Sequence, residues 1–127
     1  MTIGLWQTLR CDDADAEIAW LIAIGFTEHG VFRSDEDETI VEHAQLVWPG
    51  GGGVMLGSHR DGTEWKQGTG NAGTYLVTDD PEGLYASAVA AGATSVMEPT
   101  EQHYGGRDAI VRDPEGNLWS FGDYAPV

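Results

Sequence analysis

The stretch that decides the fold runs from Thr74 to Tyr124. It reads TYLVTDDPEGLYASAVAAGATSVMEP over 74–99 and YGGRDAIVRDPEGNLWSFGDY over 104–124. Thr74–Thr78 is rich in strand formers. Asp80 then supplies a helix N-cap, and Pro81 fills the first helical position, where its missing N–H costs nothing. Leu84, Tyr85, Ala88 and Val89 form the buried stripe, and Gly92 closes the helix. Strands are expected over about 94–98, 108–112 and 117–122, the last two joined by the turn Asp113-Pro114-Glu115-Gly116.

Working outward, the first half of the chain repeats this order. Asp12-Asp13 is followed by AEIAWLIAIG and Phe26-Thr27, as Asp79-Asp80 is followed by PEGLYASAVAAG and Ala93-Thr94. Asp13 and Asp80 are 67 residues apart, as are Gly25 and Gly92, and Pro49 precedes Pro114 by 65. The spacing predicts a strand over 3–10, a helix over 14–24, and strands over 26–33, 41–48 and 53–58, with WPGGGG at 48–53 as the turn. Residues 59–73 (HRDGTEWKQGTGNAG) are polar and glycine-rich, a connector. The expected organisation is a single α+β domain over 1–127: module one at about 1–60, the linker, and module two at about 74–127, each βαβββ.

Length and charge bound the rest. At 127 residues the chain is long enough for one domain to bury a core without disulfides. Twenty-one acids against six bases leave −15 at pH 7, a surface that repels nucleic acid and anionic membranes. The same charge would attract cations, although its commonest role is solubility. No apolar run is of membrane-spanning length, and MTIGLWQTLR does not read as a secretory leader. A single cysteine, Cys11, fits a cytoplasmic protein.

The paired modules, the Tyr-Gly-Gly-Arg loop and Asp-Pro-Glu-Gly-Asn-Leu-Trp, with LRCDDADAEIAWLIAIGF as a looser match in the first half, resemble the vicinal oxygen chelate superfamily. This group includes glyoxalase I, bleomycin-resistance proteins and extradiol dioxygenases. The resemblance implies curled, cup-like mixed sheets with helices on their outer face. It also implies a homodimer, with two cups enclosing a ligand or metal. In catalytic members His, Glu or Gln hold a divalent metal on the first and last strands of each module. The corresponding positions here are Trp6, Leu56, Gly73 (or Thr74) and Ser120, poor ligands for Zn, Ni, Mn or Fe. No metal or other cofactor is therefore expected, and the metal-free bleomycin-resistance-like branch is the nearer relative.

The remaining candidates are aromatic and polar. Trp6 should face the cup, Trp48 and Trp65 should form its rim, and Tyr75 shares a strand face with Gly73 and Val77. The loop His103–Arg107 offers His103, Tyr104 and Arg107, although Arg107 would equally pair with a surface acid. The expected ligand site is Trp6, Trp48, Leu56, Tyr75, His103, Tyr104, Arg107 and Ser120, with no catalytic residue assigned. Such a slot suits a small aromatic compound; antibiotics and cationic molecules fall within that class. Two rival readings are a metal-dependent lyase, isomerase or dioxygenase with displaced ligands such as His43, His103 or Glu98, and a metal-free enzyme using Tyr104 or His103 as acid or base.

Overall fold

The computed structural model describes residues 2–61 and 68–126. Module one contains β1 (Trp6–Cys11), α1 (Ala14–Ala23), β2 (Thr27–Arg33), β3 (Val41–Val47) and β4 (Gly53–Ser58). Module two contains β5 (Gly73–Val77), α2 (Pro81–Ala90), β6 (Thr94–Glu101), β7 (Arg107–Arg112) and β8 (Leu118–Gly122). Each module forms a four-stranded mixed sheet, in the orders β1-β4-β3-β2 and β5-β8-β7-β6. The first strand of each module pairs in parallel with the last, and the other pairings are antiparallel.

The repeat is physical down to its hydrogen bonds. Asp13 accepts from the Ala16 amide at 3.1 Å, and Asp80 from the Gly83 amide at 3.0 Å, so both helices begin on the same cap. Both end on a left-handed glycine, Gly25 (φ 121°) and Gly92 (φ 116°). At the first, Phe26 N donates to Leu21 O and Gly25 N to Ile22 O; at the second, Ala93 N donates to Ala88 O and Gly92 N to Val89 O. That is the Schellman closure twice, and a side chain at either glycine would be strained.

Strand alternation divides each sheet. Leu9, Cys11, Ala44, Leu46, Val54 and Leu56 turn to α1 and are buried. Trp119, Phe121, Ala109 and Val111 do the same in module two. The two modules share one core. The Trp20 indole N–H donates to the Ala88 carbonyl at 3.1 Å, and its ring lies 5.5 Å from that of Trp119. Phe26 meets Trp119 edge-on at 6.0 Å.

The Asp-Pro-Glu-Gly-Asn-x-Trp motif is built around a buried carboxylate. Asp113 accepts from the amides of Glu115 and Asn117, from the Asn117 side chain and from the Trp119 indole at 2.8 Å. Glu115 reaches back to module one and accepts from the amides of Asp12 (2.6 Å) and Asp13 (2.9 Å). Beneath this turn lies Glu17 of α1, fully buried beside the Asp113 carboxyl. Burial, followed by the neighbouring Asp113 carboxyl, pushes its pKa up to about 10, so it is neutral at pH 7. Burial and the same acids push the Cys11 thiol up, leaving it an inert core residue.

Element boundaries depart from the sequence reading at a few places. Residues 3–5 precede β1 rather than forming part of it, and β6 runs on to Glu101, past Pro99. Pro99 is tolerated because β6 is an edge strand. Gly73, read as the end of the linker, opens β5. Trp65 lies outside the described residues.

Candidate ligand-binding site

β1 and β5 are edge strands of the two sheets. A cavity of about 330 Å³ draws on both of them, and on β4 and the glycine turn before it. Trp6, Phe26, Trp48, Tyr75 and Leu76 supply most of its apolar wall. Trp6 is held because β4 has no side chain beneath it: a Cβ on Gly53 would lie 2.5 Å from the indole Cζ3. The Trp6 N–H donates to the Ile3 carbonyl at 3.3 Å, tying the ring to the segment before β1. Trp48 packs on Phe26 with ring centroids 5.1 Å apart, and lies close over Gly25. The cavity therefore gathers three residues read from sequence, Trp6, Trp48 and Tyr75, along with Gly73.

Leu56 corrects the sequence reading. It pairs with Leu9 and Ala44, is 3% exposed and belongs to the core. A slip of one residue reverses a strand's faces, and the open-face residue of β4 is Met55, in register with Thr8. Ser120 lies opposite Tyr75 on the non-core face of β8, half-buried, but does not line the cavity.

The His103–Arg107 loop belongs to a second cluster. The Tyr104 hydroxyl donates to the Asp108 carboxylate at 3.1 Å, and its ring meets those of His103 (5.7 Å) and Tyr124 (5.9 Å) edge-on. The Tyr75 hydroxyl donates to the Tyr124 carbonyl at 2.7 Å. Burial, then the Asp108 charge, raises the Tyr75 phenol; desolvation, then the bond to Asp108, raises that of Tyr104. Both are held protonated, which disfavours Tyr104 as a base. Arg107 turns to α2 and pairs with Glu82, so it serves a surface ion pair rather than the cavity.

Residues 5–121 match the model of the Glyoxalase/Bleomycin resistance protein/Dioxygenase superfamily. This chain belongs to that superfamily. Among solved structures it is similar to TioX from Micromonospora sp. ML1, at 27% identity and TM-score 0.77, covering 98% of this chain and 100% of that one. It is similar to UcmS2 at 21% identity and TM-score 0.73, with 98% and 100% covered. A glyoxalase/bleomycin resistance protein from Streptomyces sp. CB03234 shares 17% identity at TM-score 0.70, with 93% and 97% covered. The latter two likenesses bear on the fold alone. No curated protein matches the sequence.

Metal-holding members of the superfamily would use the positions occupied here by Trp6, Leu56, Gly73 and Ser120. An indole N–H is a donor only, Leu56 is in the core, Gly73 has no side chain, and a lone hydroxyl is a poor ligand. These residues do not fit a divalent metal. Among the described residues no three His, Cys, Asp or Glu side chains converge on a shared point. His43 instead shares a hydrogen bond with Gln45 at 3.0 Å and stacks with Phe32.

Two apolar residues that line the cavity escaped the sequence reading, Phe26 and Leu76. The strand pattern places Phe26 only at the start of a strand and Leu76 only within one, and what brings them to the cavity is the packing of the two modules.

Proposed function

We propose that this protein binds a small, flat aromatic compound without a metal, and sequesters or carries it. The observation that carries the reading is the shared cavity of Trp6, Trp48 and Tyr75. Its volume, about 330 Å³, is within the range of small-molecule sites. Each stacked ring pair would add about 0.5–1.5 kcal/mol beyond burial. An antibiotic is one ligand class of this shape.

The working form is a homodimer in the cytoplasm. Exposed Phe32, Tyr75 and Val77 on the sheets lie outside the shared core, where a second copy would cover them. Among the described residues no helix is long and apolar enough to cross a membrane.

The test joins two measurements. Protein purified without chelator or nickel is assayed for metal, and then titrated with planar aromatic compounds by tryptophan quenching. Metal below a tenth of an equivalent, with saturable quenching, is expected. About one metal per subunit would overturn the reading in favour of a metalloenzyme.

A further inference from the structure

Two aromatic walls of the cavity are held in the same way. Trp6 lies over Gly53 of β4, and Tyr75 lies over Gly122 of β8, where a Cβ would come 2.9 Å from the Tyr75 Cε1 and 3.0 Å from its Cζ. Each ring's polar atom then donates to a backbone carbonyl outside the sheets. The Trp6 N–H reaches Ile3 before β1, and the Tyr75 hydroxyl reaches Tyr124 after β8, at 2.7 Å. Tyr75 is in register with Ser120, so its ring leans along β8 towards Gly122 to make that bond.

The segment that receives the bond, residues 123–126, is built into its path. The Asp123 amide donates to the Arg107 carbonyl at 3.2 Å, and the Arg107 amide donates back to the Asp123 carboxylate at 2.9 Å. Gly106 leaves room for this turn: a Cβ there would lie 2.9 Å from an Asp123 carboxylate oxygen and 3.2 Å from the Tyr104 ring. Tyr124 meets the Tyr104 ring edge-on at 5.9 Å, and the Tyr104 hydroxyl is itself fixed on Asp108. Yet Tyr104 and Tyr124 are each 53% exposed, and neither belongs to the core. Such a segment buries little, so what it contributes is position.

We infer that residues 123–126 are part of the ligand site, with the Tyr124 carbonyl holding the Tyr75 ring as a wall of the cavity. This rests on the aromatic-binding reading above and deepens it, because the affinity of the cavity then depends on a segment that does not line it. Without the bond the Tyr75 ring is free to turn, and a ligand must order it on binding. A wall already fixed avoids that loss of freedom. Tyr124 is thus a positioning residue, and Tyr75 is the one that meets the ligand.

The probes are naphthalene and acridine, both planar and both neutral at pH 8, with binding read by tryptophan quenching. Removal of residues 124–127 should weaken both by about three- to tenfold, the range that one hydrogen bond supplies. Tyr75→Phe keeps the ring and removes its donor, so it should weaken them by the same factor. The two changes together should do no more than either alone, because they break one interaction. In stopped-flow measurements the loss should appear as faster dissociation. The urea midpoints of both variants should stay close to that of the parent, which separates positioning from support of the fold.

Additive losses would mean that the segment acts other than through Tyr75. Unchanged affinity in Tyr75→Phe would mean that the ring needs no tether. Either result overturns the inference and leaves aromatic binding intact. Should the truncated chain fail to fold, Tyr75→Phe decides alone: faster dissociation at an unchanged urea midpoint supports the inference, and a parental dissociation rate overturns it. Failure of the parent to bind either probe would overturn aromatic binding itself, and this inference with it.

Discussion

The indole of Trp6 occupies the space that a side chain at Gly53 would fill. The two residues are paired across β1 and β4, and a Cβ on Gly53 would come within 2.6 Å of two indole carbons and 2.9 Å of the Leu46 carbonyl oxygen. One glycine therefore sets the position of the main aromatic wall of the cavity.

Gly53→Ala should displace Trp6 or spread β4 from β3. Overpacking of this kind costs about 1–3 kcal/mol. Aromatic ligand affinity should fall at the same time. Chemical denaturation and quenching on the same variant check both effects, and unchanged quenching would show that Trp6 does not line the binding surface.

Trp48→Ala removes the ring that packs on Phe26 beside the cavity. Trp48 is half-buried, so a loss of about 2–3 kcal/mol is expected, less than for a fully enclosed tryptophan. Calorimetric titration, which does not depend on the fluorophore removed, should show weaker aromatic binding. A stability loss with binding intact would confine Trp48 to packing.

Glu17→Gln tests the buried carboxyl. Its folded pKa of about 10 lies above the unfolded value near 4.5, so the folded state holds a proton that the unfolded state releases. For this group stability is full below pH 4.5 and is lost as pH rises towards 10, by up to about 1.4 kcal/mol per pH unit. The variant cannot ionise. It should be more stable than the parent by about 1–3 kcal/mol at pH 7, with a flatter profile from pH 5 to 9. Urea melts across that range check it, and parallel profiles would show that Glu17 is not protonated in the fold.

Glu115→Ala removes two charge-assisted bonds to the backbone ahead of α1, from Asp12 and Asp13. The site is partly open to water, so a cost of about 1–2 kcal/mol is expected. Hydrogen exchange should quicken at the Asp12 and Asp13 amides, far in sequence from the substitution. Unchanged exchange there would show that the turn does not brace module one.

The repeat was legible because its signals are local. An aspartate cap, a helical stripe and a closing glycine each act within a few residues, and the same set recurs 67 residues on. The resemblance put Trp6 and Gly73 on the cup face, and alternation set Tyr75 beside Gly73. Leu56 could not be placed in this way: whether it or Met55 faces outward depends on its pairing with Leu9 and Ala44, which chain spacing does not fix to one residue. Arg107 had two readings, and the position of Glu82 on α2 selected the ion pair.

The sequence by itself determined two βαβββ modules, their caps and turns, and an acidic surface. These follow from residue type and short-range backbone preference. Tertiary structure alone decided that Glu115 would brace the start of α1, that Trp20 would bond across the modules to Ala88, and that Arg10 and Arg60 would share a pocket. Those contacts join residues distant along the chain, and they exist only once strand register and the packing of one module on the other bring them together.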